Sequence, residues 1–171
     1  MAAEAKLIFW VGAQEVDLEA SRSLLLCMGN KIVHAGGHGM GTSMKMVINL
    51  LLAMPMAAFA EAMALGKGLG LSQKSCSIHC SVRPRSRRLL ALKREKIEGG
   101  NYEAEFPLQW MQKDLHLASV SAYESGVALA VTNVTKEIYR LAMRGGHETN
   151  DFSAIYEFAM GDDGKERIAP P

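Results

Sequence analysis

The chain has 171 residues, of which 49% are hydrophobic, and its formal net charge at pH 7 is +1. This length suits one domain, or one domain with part of another, and it supplies enough apolar side chains for a packed core. The near-zero net charge indicates no particular partner, and three cysteines are too few for a disulfide framework. The first residues lack the basic and then apolar segments of a secretory signal, so we expect a cytoplasmic protein.

The first 34 residues predict a strand–helix–strand unit. Residues 6–11 are rich in β-forming side chains, and residues 31–34 form a second short strand. Between them, residues 16–28 carry apolar side chains at helical spacing and end at Gly29. Such a unit cannot cover its own sheet edges, so we expect it to be the end of a larger α/β domain.

Beyond residue 42 the sequence predicts helices. The first begins at Thr42 or Ser43 as N-cap and ends at Gly66, with Pro55 inside it. We expect further helices at about residues 108–125, 128–144 and 150–161, followed by a frayed tail at 162–171.

The apolar run at residues 46–65 is long enough to cross a bilayer. It also contains Asn49, Pro55 and Glu61, and an ionisable side chain at membrane depth is costly. We therefore interpret the run as the central helix of a helical domain and expect no membrane partner.

Residues 72–90 have an atypical composition, rich in serine, arginine and cysteine and without helical periodicity. The segment Cys76-x-x-His79-Cys80 contains metal-ligand residue types, but no second pair follows, so we predict no metal site. The arginine-rich run at 83–88 lacks interleaved aromatic residues, and we interpret it as a solvated loop rather than a nucleic-acid site.

Lys45 and Asn49 lie at the start of the long apolar helix. Their four-residue spacing puts an amine and an amide on one helical face. The glycines just before them, Gly39 and Gly41, allow a backbone or a ligand to approach closely. A lysine in this position either extends into water or has a function, and the arrangement predicts a functional site.

These features resemble the β-hydroxyacid dehydrogenase family, which includes 3-hydroxyisobutyrate dehydrogenases, tartronate semialdehyde reductases and glyoxylate/succinic semialdehyde reductases. The resemblance follows the chain in order and covers nearly all of it apart from residues 72–90. It is carried by the glycine-rich turn with Lys45 and Asn49, and by residues 61–72, 106–115 and 151–156.

The resemblance implies a mainly α fold. Residues 39–161 would form an all-helical domain similar to the C-terminal domain of 6-phosphogluconate dehydrogenase, and residues 1–38 would be the remnant of a Rossmann domain. No strand at the start is followed by Gly-x-Gly-x-x-Gly, so the resemblance implies a truncated homologue. NAD or NADP binding would need the missing domain, and we expect little or no activity from the chain alone. Because family-like sequence flanks residues 72–90, we interpret that segment as a compensated frameshift.

The resemblance also implies roles for five side chains. Lys45 would be the general acid/base for hydride transfer between the nicotinamide and a small 3-hydroxy acid, semialdehyde or glyoxylate. Asn49 would orient Lys45 and bind the substrate. Lys113 would contact the cofactor, while Phe106 and Asp114 would line the substrate pocket.

Each role has a structural alternative. Asn49 could be a buried amide satisfied by a neighbouring helix, Lys113 and Asp114 a solvated pair, and Phe106 a core anchor. The whole chain could instead be a non-catalytic module that forms homo-oligomers through its long apolar helix, because a lone helical half exposes an apolar face. A third alternative is a nucleic-acid-binding adaptor that uses the arginine-rich loop.

Overall fold

The computed structural model describes residues 7–74, 76–77 and 87–161, with only the backbone given for residues 87–92. Helices dominate these residues. The chain divides into two compact units, the first ending at Ile48 and the second beginning at Asn49. The predicted tail at 162–171 lies outside the described residues.

The first unit contains a two-stranded parallel sheet. Strand β1 spans Leu7–Gly12, helix α1 spans Glu15–Met28 and strand β2 spans Gly29–Gly36. Parallel neighbours cannot be joined by a tight turn, and α1 supplies the crossover between them. Leu18 of α1 is buried. The predicted strand–helix–strand unit is confirmed, and its second strand is longer than expected.

Helix α2, Met40–Gly68, begins against the end of β1 with no side chain between the two backbones. A Cβ atom added to Gly41 would lie 2.5 Å from the Trp10 carbonyl oxygen. One added to Gly12 would lie 2.6 Å from the Gly41 nitrogen. Only glycine permits this approach at either position.

The predicted start of this helix at Thr42 or Ser43 is wrong. The Ser43 N–H already donates a helical hydrogen bond to the Gly39 carbonyl, 3.1 Å away, and α2 begins at Met40. The turn at Gly39, with φ of +85°, sets the start in place of a capping side chain. The helix then continues through Pro55.

The second unit adds further helices around α2. Helix α3 spans Arg87–Gly99, α4 spans Leu108–Glu124 and α5 spans Ala130–Ala142. A turn at Met143–His147, kinked at Gly146 with φ of +96°, a 3-10 turn at Phe152–Ala154 and helix α6 at Ile155–Met160 follow. The helices predicted near 108–125, 128–144 and 150–161 are confirmed within a few residues.

The predicted loop at 83–88 is wrong for residues 87 and 88, which belong to α3. Residues 73–74 and 76–77, in the segment without helical periodicity, are also helical. Helix α3 is strongly polar, and of its described side chains only Lys93 and Ile97 are buried. Because one of these two buried positions is a lysine, the sequence of α3 lacks a clear repeat of apolar residues at helical spacing, the pattern that identifies an amphipathic helix.

The core of the second unit is built on α2. Four of its side chains are almost completely buried at helical spacing: Ala53, Met56, Ala60 and Met63. They belong to one cluster with residues of the surrounding helices, including Leu108, Met111, Leu115, Tyr139 and Ile155. Among the described residues α2 is the one helix whose length and composition would allow it to cross a membrane. The core helix of a soluble protein meets the same criterion.

Candidate functional site

Lys45 and Asn49 both lie on α2, four residues apart, so helical geometry places them on one face. Lys45 belongs to the first unit and is exposed, and Asn49 is the first residue of the second unit and is buried.

Asn49 is bonded directly to Asp114 of α4. The Asn49 Nδ2 donates a hydrogen bond of 2.7 Å to Asp114 Oδ2, and the exposed fractions of the two residues are 8% and 6%. A carboxylate withdrawn from water needs donors, and a charge-assisted bond of this length is among the stronger ones. Because an ionised carboxylate only accepts, the bond fixes which end of the Asn49 amide faces Asp114.

Lys113 extends the pair toward the surface. Its ammonium lies 3.4 Å from Asp114 Oδ1 and 5.2 Å above the centre of the Trp110 ring, and its side chain is half-exposed. The structure thus brings Asn49, Asp114 and Lys113 together as an amide, a carboxylate and an ammonium. Two of the structural alternatives given above therefore occur in the structure: Asn49 is a buried amide satisfied by a neighbouring helix, and Lys113 pairs with Asp114.

Phe106 belongs to a different group of contacts. Its half-buried ring packs edge-on against Phe152, with ring centres 6.3 Å apart. Its backbone N–H donates to Asp151 Oδ2 over 3.3 Å, and its carbonyl accepts from the Phe152 N–H over 2.9 Å. Phe106 is therefore held by its backbone just before Pro107, the N-cap residue of α4.

Sequence reasoning missed the buried pair formed by Lys93 and Asp151. The Lys93 ammonium lies 2.9 Å from Asp151 Oδ2, and the two residues are 5% and 0% exposed. Burial by itself raises the pKa of Asp151, but hydrogen bonds from Ser153 and Lys93 outweigh burial and hold that pKa below its ordinary value. The Asp151-x-Ser153 spacing, typical of a helix start, was the available signal.

A cavity of about 570 Å³ lies in the second unit near the far end of α2, bordered by Met63 and by the rings of Tyr102 and Tyr156. Met63 follows Asn49 by fourteen residues, or roughly 21 Å of helix. The cavity is thus separate from the Asn49–Asp114 pair.

The candidate metal ligands His79 and Cys80 lie outside the described residues, as do residues 83–86 of the arginine-rich run. Within the residues that the structure describes, no group of three or more histidine, cysteine or acidic side chains could hold a metal ion.

Comparison with known proteins adds independent evidence. A family model described as "NAD-binding of NADP-dependent 3-hydroxyisobutyrate dehydrogenase" matches residues 39–159. The chain is 34% identical, over 172 residues, to a probable mitochondrial 3-hydroxyisobutyrate dehydrogenase of Arabidopsis thaliana, covering 95% of this chain and 50% of that protein. It is 33% identical, over 175 residues, to an NAD-dependent L-serine dehydrogenase of Pseudomonas aeruginosa, covering 90% of this chain and 54% of that protein.

Solved structures agree with this assignment. A Mycobacterium tuberculosis 3-hydroxyisobutyrate dehydrogenase, solved with L-serine, superimposes with a TM-score of 0.80 at 28% identity, covering 92% of this chain and 56% of that one. The chain thus spans about half the length of the curated relatives it matches. The predicted resemblance and the mainly α fold are confirmed, and the chain belongs to the 3-hydroxyisobutyrate dehydrogenase family of β-hydroxyacid dehydrogenases.

Proposed function

We propose that this chain supplies the helical, substrate-binding part of an NAD(P)-dependent oxidoreductase that interconverts a small 3-hydroxy acid and the corresponding aldehyde, or reduces glyoxylate. The observation that carries the proposal is the buried Asn49–Asp114 hydrogen bond on the helix that also carries Lys45, in a chain of this family. The names of two relatives give 3-hydroxyisobutyrate and L-serine as substrates, and both molecules are 3-hydroxy acids.

The proposed domain limits are residues 1–38 for the end of a nucleotide-binding domain, 39–161 for the helical domain and 162–171 for a tail. The parallel β1–α1–β2 unit is compatible with the end of such a nucleotide-binding sheet. We also propose a reducing compartment such as the cytoplasm, in keeping with the free thiols of Cys27 and Cys76. Curated relatives include mitochondrial and bacterial proteins.

Lys45 is the proposed general acid/base. A bound nicotinamide would supply or accept the hydride at the substrate carbon. In the reducing direction the Lys45 ammonium gives a proton to the oxygen of that carbon, which completes the hydroxyl group. In the oxidising direction the neutral amine takes the hydroxyl proton back.

Asn49 is the proposed substrate ligand. One N–H of its amide is committed to Asp114, which turns the amide oxygen away from that carboxylate. The oxygen can accept a hydrogen bond from a substrate hydroxyl, and the second N–H can donate one to a substrate carboxylate. Asp114 therefore acts by holding Asn49, as well as by lining the pocket.

Lys113 is the proposed cofactor contact. A half-exposed ammonium above the Trp110 ring fits a ligand that carries both a flat aromatic ring and anionic phosphates. The phosphate-binding glycine fingerprint is absent from this sequence, so we expect cofactor affinity to depend on a nucleotide-binding domain supplied in addition.

The test is a fusion of the first half of the Arabidopsis relative to residues 1–171, assayed with 3-hydroxyisobutyrate and L-serine and with each cofactor. The fusion should be active and the 171-residue chain alone inactive. Lys45→Ala should lower kcat of the fusion by about 100-fold or more, the usual contribution of a positioned acid/base. Lys67→Ala, an exposed lysine near the end of the same helix, is the matched control. Full activity of Lys45→Ala would overturn the proposal.

A second candidate function is oligomerisation. It is favoured by helix α5, which buries polar side chains and exposes apolar ones. The helix buries Thr132 and Thr135 but exposes Val131 and Val134 by 67% and 63%. The exposed apolar side chains of α5 follow the alternating three- and four-residue spacing of a helix-pairing seam, namely Val131, Val134 and Leu141, with Ile138 partly exposed. The long apolar helix α2 also exposes Leu51 and Leu65.

We propose that a second copy of the chain covers these faces. Light scattering should give a dimer or a higher oligomer of defined mass, and Val131→Asp with Val134→Asp should convert it to monomer. A monomeric parent chain would contradict this proposal.

A further inference from the structure

We infer that Asp151 is a positioning residue: held ionised by Lys93, it fixes the backbone of Phe106 and so sets where the Phe106 ring stands. The inference rests on the proposed function insofar as Phe106 lines the substrate pocket. It assigns Asp151 no contact with substrate.

The Asp151 carboxylate is completely buried and accepts five hydrogen bonds. Oδ1 accepts from the Ser153 N–H at 3.2 Å and from the Ser153 hydroxyl at 2.7 Å. Oδ2 accepts from Lys93 Nζ at 2.9 Å and from the backbone N–H groups of Glu105 and Phe106 at 3.2 and 3.3 Å. All of its partners are donors, so the site is built for the ionised form alone.

Lys93 stabilises the negative charge of the buried Asp151 carboxylate. Its ammonium lies between Asp151 Oδ2 and Glu105 Oε2, at 2.9 and 2.8 Å, and 5.0 Å above the Phe152 ring. A buried carboxylate without a counter-charge would be strongly unfavourable and would protonate. A protonated Asp151 would turn an O–H toward neighbouring donors and release at least one of them.

The Phe106 backbone is held on both sides by this segment. Its N–H bonds to Asp151 Oδ2 and its carbonyl accepts from the Phe152 N–H at 2.9 Å. Pro107 forms a bridge with Asp151, and the Leu108 N–H donates to the Asn150 carbonyl at 2.8 Å. The two backbone hydrogen bonds fix the direction of the Phe106 Cα–Cβ bond, and the Phe152 ring lies edge-on against the Phe106 ring, with ring centres 6.3 Å apart.

The first test measures amide hydrogen exchange by NMR in the 171-residue chain. Asp151→Asn should accelerate exchange at Glu105 and Phe106 by about tenfold or more relative to the buried α4 amides of Met111 and Leu115. The control Asp17→Asn, at an exposed position of α1, should leave all four rates unchanged. Equal acceleration of all four amides in Asp151→Asn would mean general destabilisation and would overturn the inference.

A measurement on the unmodified chain covers the case in which Asp151→Asn does not fold. Amide proton shifts of Glu105 and Phe106 should move together as pH falls through the protonation of the carboxylate that they contact. Shifts that move without a common midpoint, or do not move while the fold persists, would count against the inference.

The functional test is a double-mutant cycle on the affinity of the chain for 3-hydroxyisobutyrate, measured by NMR titration. Asp151→Asn should weaken binding by roughly tenfold when Phe106 is present and should have no further effect in the Phe106→Ala background. Equal losses in both backgrounds would overturn the positioning role. If the parent chain does not bind 3-hydroxyisobutyrate, substrate binding by this chain fails, and the exchange and pH measurements alone decide the role of Asp151.

Discussion

The Asn49 amide and the Asp114 carboxylate, 2.7 Å apart, join α2 to α4 by a buried hydrogen bond. The bond ties together two residues that are 65 positions apart in the sequence. It holds the Asn49 amide in one orientation. Stability and the proposed substrate contact therefore depend on the same pair.

Replacing Asn49 by Leu, which has a similar volume, should destabilise the second unit by about 1–3 kcal/mol because the buried Asp114 loses a donor. Asn49→Asp should cost more at pH 7 than at pH 5, since two adjacent carboxylates cannot both ionise without penalty. Urea denaturation at both pH values measures these effects. Asn133→Leu, at an exposed amide of α5, should change stability by less than about 0.5 kcal/mol.

The fold should lose stability in acid partly through Asp151. The pKa of Asp151 is lower in the folded protein than in the unfolded chain. Its stabilising contribution is therefore complete above the pKa of an aspartate in the unfolded chain, and it is lost as pH falls below about 4. Denaturation between pH 6 and pH 3 should therefore show a smaller drop for Asp151→Asn than for the parent. An identical drop in both proteins would contradict this assignment.

Tyr139 should make the fold sensitive to alkali. The residue is completely buried, with its hydroxyl 3.4 Å from the Ala53 carbonyl, and burial raises its pKa. Because the folded protein holds the Tyr139 proton more tightly than the unfolded chain does, Tyr139 contributes its full stabilisation below the pKa of a tyrosine in the unfolded chain. This contribution is lost as pH rises above about 10. Tyr139→Phe should reduce the fall in melting temperature between pH 9 and pH 11. Tyr123→Phe, at a largely exposed ring, should not change it.

Gly41→Ala should destabilise the first unit by about 1–3 kcal/mol, because the new methyl group would overlap the Trp10 carbonyl oxygen. Gly37→Ala is the matched control, since a Cβ atom at Gly37 meets nothing within 4 Å. Thermal unfolding monitored by NMR signals of β1 and β2 provides the measurement. Equal stability of the two variants would contradict the close approach of α2 to β1.

Lys113→Ala in the fusion protein should raise the KM for the nicotinamide cofactor by roughly tenfold through loss of a charge-assisted bond. The KM for the hydroxy acid should change less, because Asp114 keeps its bond to Asn49. Steady-state kinetics with each reactant varied in turn separates the two effects. Lys67→Ala again serves as the control.

The sequence predicted most of the helices because their apolar periods are long and their ends carry glycine, as at Gly161, which adopts the left-handed conformation after α6. It also drew attention to Lys45 and Asn49, since an amine and an amide stand out against an apolar helix. These signals are local in the chain, which is why they can be read without a structure.

Contacts between distant segments could not be predicted in the same way. Lys93 and Asp151 are 58 positions apart, and Lys93 lies next to a segment that we interpreted as foreign to the fold. On α5, Thr132 and Thr135 are buried while the neighbouring valines are exposed, the reverse of what side-chain polarity suggests. Both features are decided by what the other helices bring to the same place.

The touching backbones of Gly12 and Gly41 carry a consequence for natural variation in this protein. Any larger amino acid at either codon must be matched by a shifted strand or a displaced helix. The two positions therefore constrain each other, and tolerated variants of this protein should keep glycine at both.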